Sequence, residues 1–110
     1  MNKLQAIKAF AELEGYETMI STCSEKGQSI TAIKGKRTIF RYDPTADKAM
    51  AFEAMAKYRV TPFYSHRRVM TIGSDGFMPK AFYTYYNDAD EIPMAIIESI
   101  LKSQGLWKCD

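Results

Sequence analysis

Three punctuation marks between residues 41 and 106 constrain this chain more than anything else in it. Tyr42-Asp43-Pro44-Thr45 is a turn that opens an amphipathic run, and Gly73-Ser74-Asp75-Gly76 closes a hairpin. Glu91-Ile92-Pro93 opens a second helical run, with proline in a first turn whose N–H groups lack helical partners anyway. Glycine and proline act here through backbone geometry, so they bound elements even where side-chain periodicity is ambiguous. The segment therefore reads as helix, strand pair, helix.

The remaining elements follow from periodicity. Leu4, Ile7, Phe10, Ala11 and Leu13 recur at helical spacing and Gly15 suits a left-handed C-cap, which predicts a helix over residues 3–14. Three β-rich runs come next, Glu17–Cys23, Ser29–Lys34 and Arg37–Tyr42, separated by turns at Ser24-Glu25-Lys26-Gly27-Gln28 and Gly35-Lys36. Asp43 or Thr45 is the expected cap of the middle helix. Its apolar face is expected at Ala49, Phe52, Met55 and Ala56, widened by Ala51 and Tyr58, with Glu53 and Lys57 opposite. Thr61-Pro62 stops that helix. A strand from Tyr64 to Gly73 should turn at Ser74-Asp75 or Asp75-Gly76 and return from Phe77 to Tyr86, with Pro79 confined to an edge or a bulge. Ile92, Ile96, Ile97, Ile100 and Leu101 form the buried stripe of the last helix, Gly105 ends it, and Trp107 is expected to fold back onto the core. The order is α-β-β-β-α-β-β-α. This is an α+β fold, with three helices covering a mostly antiparallel sheet of about five strands.

Composition bounds the class. The 110 residues amount to a single α+β domain, and 46% hydrophobic content is enough for a core. No apolar run approaches the ~20 residues of a membrane span, so no membrane partner is expected. The first eight residues lack the apolar core of a signal peptide, and the expected compartment is the cytoplasm. Cys23 and Cys109 have neither metal-site spacing nor histidine partners; two free thiols are expected, with a bridge between them as the alternative. Charge is uneven. Between Lys34 and Lys80, ten basic residues face four acids, while both ends of the chain are mildly acidic.

Chemistry-bearing residues are few. His66, the single histidine, is the first residue to test as a general base, but it has no nucleophile context nearby and reads as a surface strand residue. Asp88, Asp90 and Glu91 supply oxygens for a hard cation, but without EF-hand or phosphate-loop spacing they read as acids favouring the dipole of the following helix. Gly73-Ser74-Asp75-Gly76 has the outline of a Gly-x-x-Gly clamp for single-stranded RNA. It joins strands rather than helices, and so reads as a hairpin turn. No cofactor or metal site is expected and no catalytic residue is assigned, which makes the expectation non-enzymatic. The aromatic run is different. Alternation puts Tyr83 and Tyr85 on one sheet face and Phe82 and Tyr86 on the other. Exposed tyrosines beside Arg67, Arg68 and Lys80 would suit a protein interface, or a platform for unpaired bases, unless helices cover both faces.

Two resemblances bear on the chain. In element order, residues 3–58 resemble the double-stranded RNA-binding domain, with Ala46, Ala49, Ala51, Ala54 and Ala56 similar to its alanine-rich last helix. That family places a lysine cluster at the start of this helix, where the present chain has Pro44-Thr45-Ala46-Asp47 and a lone Lys48. Residues 40–106 resemble the phage ABA-sandwich domain of small phage and prophage proteins. The resemblance lies in Arg41-Tyr42-Asp43-Pro44-Thr45-Ala46-Asp47, in the strand hairpin, and in Glu91-Ile92-Pro93-Met94-Ala95-Ile96-Ile97. It implies an origin in a phage or mobile element and a location in a bacterial host cell, and carries no activity with it.

The expectation is a small binding protein that acts by protein–protein contact on a host protein or nucleoprotein complex, an inhibitor of a bacterial defence system being one concrete form. The alternative is a nucleic-acid-binding module using the same basic and aromatic residues. Candidate contacts are Arg37, Arg41, Arg59, Arg67, Arg68, Tyr83 and Tyr85.

Overall fold

The computed structural model describes residues 1–23, 27–75 and 77–109, and of Cys23 and Asp75 only the backbone. Among these residues there are three α-helices, two short 3-10 turns and six strands, in the expected α+β order with one strand more, α-β-β-β-α-β-β-β-α. The strands form two three-stranded antiparallel sheets rather than one sheet of five. The chain divides into two compact units, residues 1–43 and 44–110.

In the first unit, α1 (Lys3–Leu13) packs across β1 (Glu17–Cys23) and β2 (Gly27–Lys34). A capping box starts the helix: Gln5 N–H donates to Asn2 Oδ1 at 2.8 Å, and Asn2 N–H donates to Gln5 Oε1 at 2.9 Å. Gly15 ends it at φ +87°, with Gly15 N–H bonded to the Glu12 carbonyl and Tyr16 N–H to that of Ala11, the pattern of a Schellman cap. Ala6, Ile7, Phe10 and Ala11 are buried, as are Ile30 and Ala32 on β2. Lys8 and Thr18 both donate to Glu12, and the Lys8 ammonium holds that carboxyl below its ordinary range. Of the turns expected here, residues 24–26 lie outside the described residues, while Gly35-Lys36 joins β2 to β3 (Arg37–Ile39) with Gly35 at φ +61°. That third strand stops three residues short of the expected Tyr42. Arg41 takes a left-handed conformation (φ 51°), and Tyr42 N–H then donates to the Ile30 carbonyl at 2.8 Å. One residue has been inserted relative to the Ile39–Ala32 register, so Phe40 points to solvent while Tyr42 is buried.

In the second unit, Asp47 caps α2 (Lys48–Lys57) by accepting from Met50 N–H, rather than Asp43 or Thr45. The buried face is Ala51 and Ala54, small residues that lie against α3 (Ile92–Ser103), whereas Ala49, Phe52 and Ala56 are exposed. Alanine is only weakly apolar, so the larger Phe52 drew the expected face around the helix. The α2 terminus is a second Schellman cap, with Val60 N–H bonded to the Met55 carbonyl, but its left-handed position holds Arg59 (φ 55°). A third such cap ends α3 at Gly105.

The sixth strand lies just before the expected Tyr64–Gly73 strand, at residues where only a helix stop was expected. Thr61–Phe63 is β4, Tyr64–His66 is a 3-10 turn, Arg67 is left-handed (φ 50°), and β5 (Arg68–Asp75) pairs back on β4. His66 accordingly sits in a turn, not a strand. β5 is central between β4 and β6 (Met78–Tyr85). Asp75 pairs with Met78, and the expected turn residue Gly76 lies outside the described residues. Pro79 is in β6, an edge strand, where its missing N–H is tolerated. Gly73 lies within β5 opposite Lys80, not in the turn, and the reason is α3. A Cβ at Gly73 would stand 2.6 Å from the Ser103 carbonyl oxygen and 2.9 Å from the Phe82 ring.

Two stability predictions follow from these backbone positions. Gly73→Ala should lower the unfolding free energy by about 1–3 kcal/mol in urea titration, because the clash is with helix backbone and has no flexible group to absorb it. Arg59→Gly should raise it by about 0.5–1 kcal/mol, relief of the left-handed cost being partly offset by the freer unfolded chain.

Candidate interaction surface

The register of β4–β5–β6 sorts its side chains onto two faces. Val69, Thr71, Gly73, Phe82 and Thr84 share the face that α3 covers. Val69, Thr71 and Thr84 are buried there beneath Ile96, Ile97, Ile100 and Leu101 of the helix. Ser99, also fully buried, donates to the Phe82 carbonyl at 3.1 Å. Its single hydroxyl hydrogen is thereby used, so the 2.6 Å contact with Thr71 Oγ1 has Thr71 as donor. Phe82 and Tyr86 lie on the opposite face from Tyr83 and Tyr85, as alternation predicts.

Among the described residues, neither α2 nor α3 packs on the other face. It carries Thr61 and Phe63 from β4, Arg68, Met70 and Ile72 from β5, and Tyr83 and Tyr85 from β6. Ile72 is 57% exposed, Tyr85 66% and Tyr83 38%, a degree of exposure unusual for three large side chains on one sheet face. Arg68 lies among the aromatics. Its guanidinium carbon is 4.8 Å from the Tyr83 ring centroid and 5.3 Å from that of Phe63, while Tyr85 is its cross-strand partner. Both ring contacts fall within cation–π range and hold the guanidinium in one place. The Arg68 Nε is buried without a hydrogen-bond partner, so the side chain is fixed by packing rather than by an ion pair.

Of the seven expected contacts, Arg68, Tyr83 and Tyr85 come together on the open face. Arg67, exposed beside them in sequence, is the turn residue whose carbonyl accepts from Tyr86 N–H at 2.9 Å. Arg59 caps α2, and Arg37 and Arg41 belong to the first unit. Lys80 is on the α3 side, above the Phe82 ring. Arg68 is thus the single cation on the face among the described residues. Phe63, Met70 and Ile72 share this face and were not among the expected contacts. The alternation Arg68, Met70, Ile72 was available as a signal, but Thr61-Pro62-Phe63 is too short a run to announce a strand.

A separate apolar cavity of about 250 Å³ opens between α2, α3 and the two 3-10 turns. Ala51, Phe52, Tyr64, Ile92, Pro93 and Ile96 line it, with Lys48 and Ala89. Neither His66 nor the carboxylates of Asp88, Asp90 and Glu91 do. His66 is exposed with Nδ1 3.0 Å from Ser65 Oγ, and Glu91 accepts from Asn87 N–H at 3.1 Å. Among the described residues no three His, Cys, Asp or Glu side chains gather as a metal site, and no helix is long and apolar enough to cross a membrane. Cys109 is a free, exposed thiol. Comparison with known proteins found no matching family model, no matching curated protein and no matching solved structure.

Proposed function

We propose that this is a non-enzymatic binding protein that acts by protein–protein contact, with the open face of β4–β5–β6 as its contact surface. The observation that carries the reading is Arg68 laid between Phe63 and Tyr83 on an uncovered face with Tyr85, Met70 and Ile72. Tyrosine, arginine and methionine are the residues enriched where binding energy concentrates, and a preset guanidinium loses little entropy on docking. The face is also poor in charge. Phosphate recognition needs several cations aligned on one surface, and among the described residues Arg68 is the one cation on this face. That composition favours a protein partner over nucleic acid. The resemblance to small phage proteins gives the partner a class, a factor of the bacterial host, with a defence complex as one concrete case.

Arg68→Ala should weaken binding to the captured host factor by about 30-fold, the equivalent of a roughly 2 kcal/mol hot spot. Titration of the purified pair measures this directly. Arg59→Gly, off the face, should leave the affinity within a factor of about two. Binding unchanged by Arg68→Ala and Tyr83→Ala would refute the surface assignment. A nucleic-acid partner would instead be lost on nuclease treatment and show a steep linear fall of log affinity with log salt.

A further inference from the structure

The edges of the two sheets are treated very differently. In the second unit both edge strands carry proline, Pro62 in β4 and Pro79 in β6, and Lys80 follows the latter. In the first unit β3 is three residues long and bears Arg37. These are the devices by which proteins keep strand edges from pairing. β1 has only a single charge, Glu17 at its first residue, by way of such a device. It runs seven residues, Glu-Thr-Met-Ile-Ser-Thr-Cys, without proline or lysine, and pairs regularly with β2 along its whole length. Met19 is 58% exposed and Ile20 52%.

Which backbone groups β1 leaves free can be deduced. Lys34 and Arg37 flank a two-residue turn and Ile30 accepts from Tyr42, so even-numbered residues of β2 bond toward β3. Odd-numbered ones, Ser29, Thr31 and Ile33, therefore bond toward β1, to Ser21, Met19 and Glu17. The N–H and C=O groups of Thr18, Ile20 and Thr22 point out of the sheet edge, and no backbone partner elsewhere takes them up among the described residues.

We propose that β1 is a self-association edge, and that its occupant is β1 of a second copy of this chain, antiparallel about a two-fold axis at Ile20. The register is self-complementary. Ile20 falls opposite Ile20 of the copy, Thr18 opposite Thr22, Met19 opposite Ser21, and Glu17 opposite Cys23. The outward-facing residues coincide with the pairs that must exchange N–H···O=C bonds in this register. Glu17, the strand's one charge, meets no like charge, and the half-exposed Ile20 side chains meet at the centre of a continuous sheet. This edge lies outside the proposed contact face, and its pairing stands or falls independently of it.

Sedimentation of the full chain should show a concentration-dependent species of twice the 12.5 kDa chain mass. Ile20→Lys and Ile20→Glu should each be monomeric, since each puts like charges opposite one another, and an equimolar mixture of the two should restore the dimer. Amide exchange of the unmodified protein gives a readout that no variant's folding can obscure. Protection at Thr18, Ile20 and Thr22 should rise at least tenfold between dilute and concentrated samples, while Met19 and Ser21 stay protected throughout. A chain that remains monomeric, a dimer that survives Ile20→Lys, or exchange at these three amides that ignores concentration would each overturn the proposal.

Discussion

The second unit depends on one close contact, the descent of α3 onto the β5–β6 hairpin at Gly73, Thr71 and Phe82. Glycine at 73 leaves out a Cβ that would stand 2.6 Å from the Ser103 carbonyl oxygen of the helix. Two hydroxyls then bridge the gap in series, Thr71 to Ser99 and Ser99 to the Phe82 carbonyl, with both side chains buried. Each bond adds little net free energy, but breaking the series would strand a buried donor or acceptor at a cost of about 1–3 kcal/mol. The isoleucines and leucine of α3 supply the bulk of the burial, and the hydroxyl series fixes the register at which they are buried.

That contact also determines what is left over. α3 is spent on one face of the sheet and α2 lies against α3, so this unit has no helix for the other face. A half-covered antiparallel sheet normally turns polar side chains outward. Here Phe63, Met70, Ile72, Tyr83 and Tyr85 occupy that side instead, with a guanidinium among them. With proline on both edges of the same sheet, strand addition is discouraged and face-on docking is the contact this unit can offer.

Much of this was legible in the sequence because it rests on punctuation and periodicity. Gly15 and Gly105, the Ile/Leu stripe of α3 and the alternation of Phe82 to Tyr86 each encode a local rule that tertiary structure did not override. The misses share a physical cause. The burial of Ala51 over Phe52 and the pairing of Thr61–Phe63 are set by what α3 and β5 present to them, which no local window contains. Composition likewise located a basic middle but not its dispersal. Of the arginines and tyrosines expected to act together, three share a face because β5 and β6 pair in one register.

The arginines at 41, 59 and 67 show why that dispersal matters. All three adopt left-handed backbone conformations, and they are the only non-glycine residues that do so among those described. Each sits where the chain changes direction. Arg41 makes the inserted residue that turns Tyr42 inward, Arg59 ends α2, and Arg67 leads into β5 so that Arg68 falls on the open face. Their backbone duty precedes any contact their charges make. Each already carries the Cβ that makes this conformation cost about 1 kcal/mol, so alanine removes the guanidinium and leaves that cost unchanged, whereas glycine removes both. Alanine is therefore the substitution that isolates the charge at these turns, as it is at Arg68, in regular strand geometry and held by two aromatic rings.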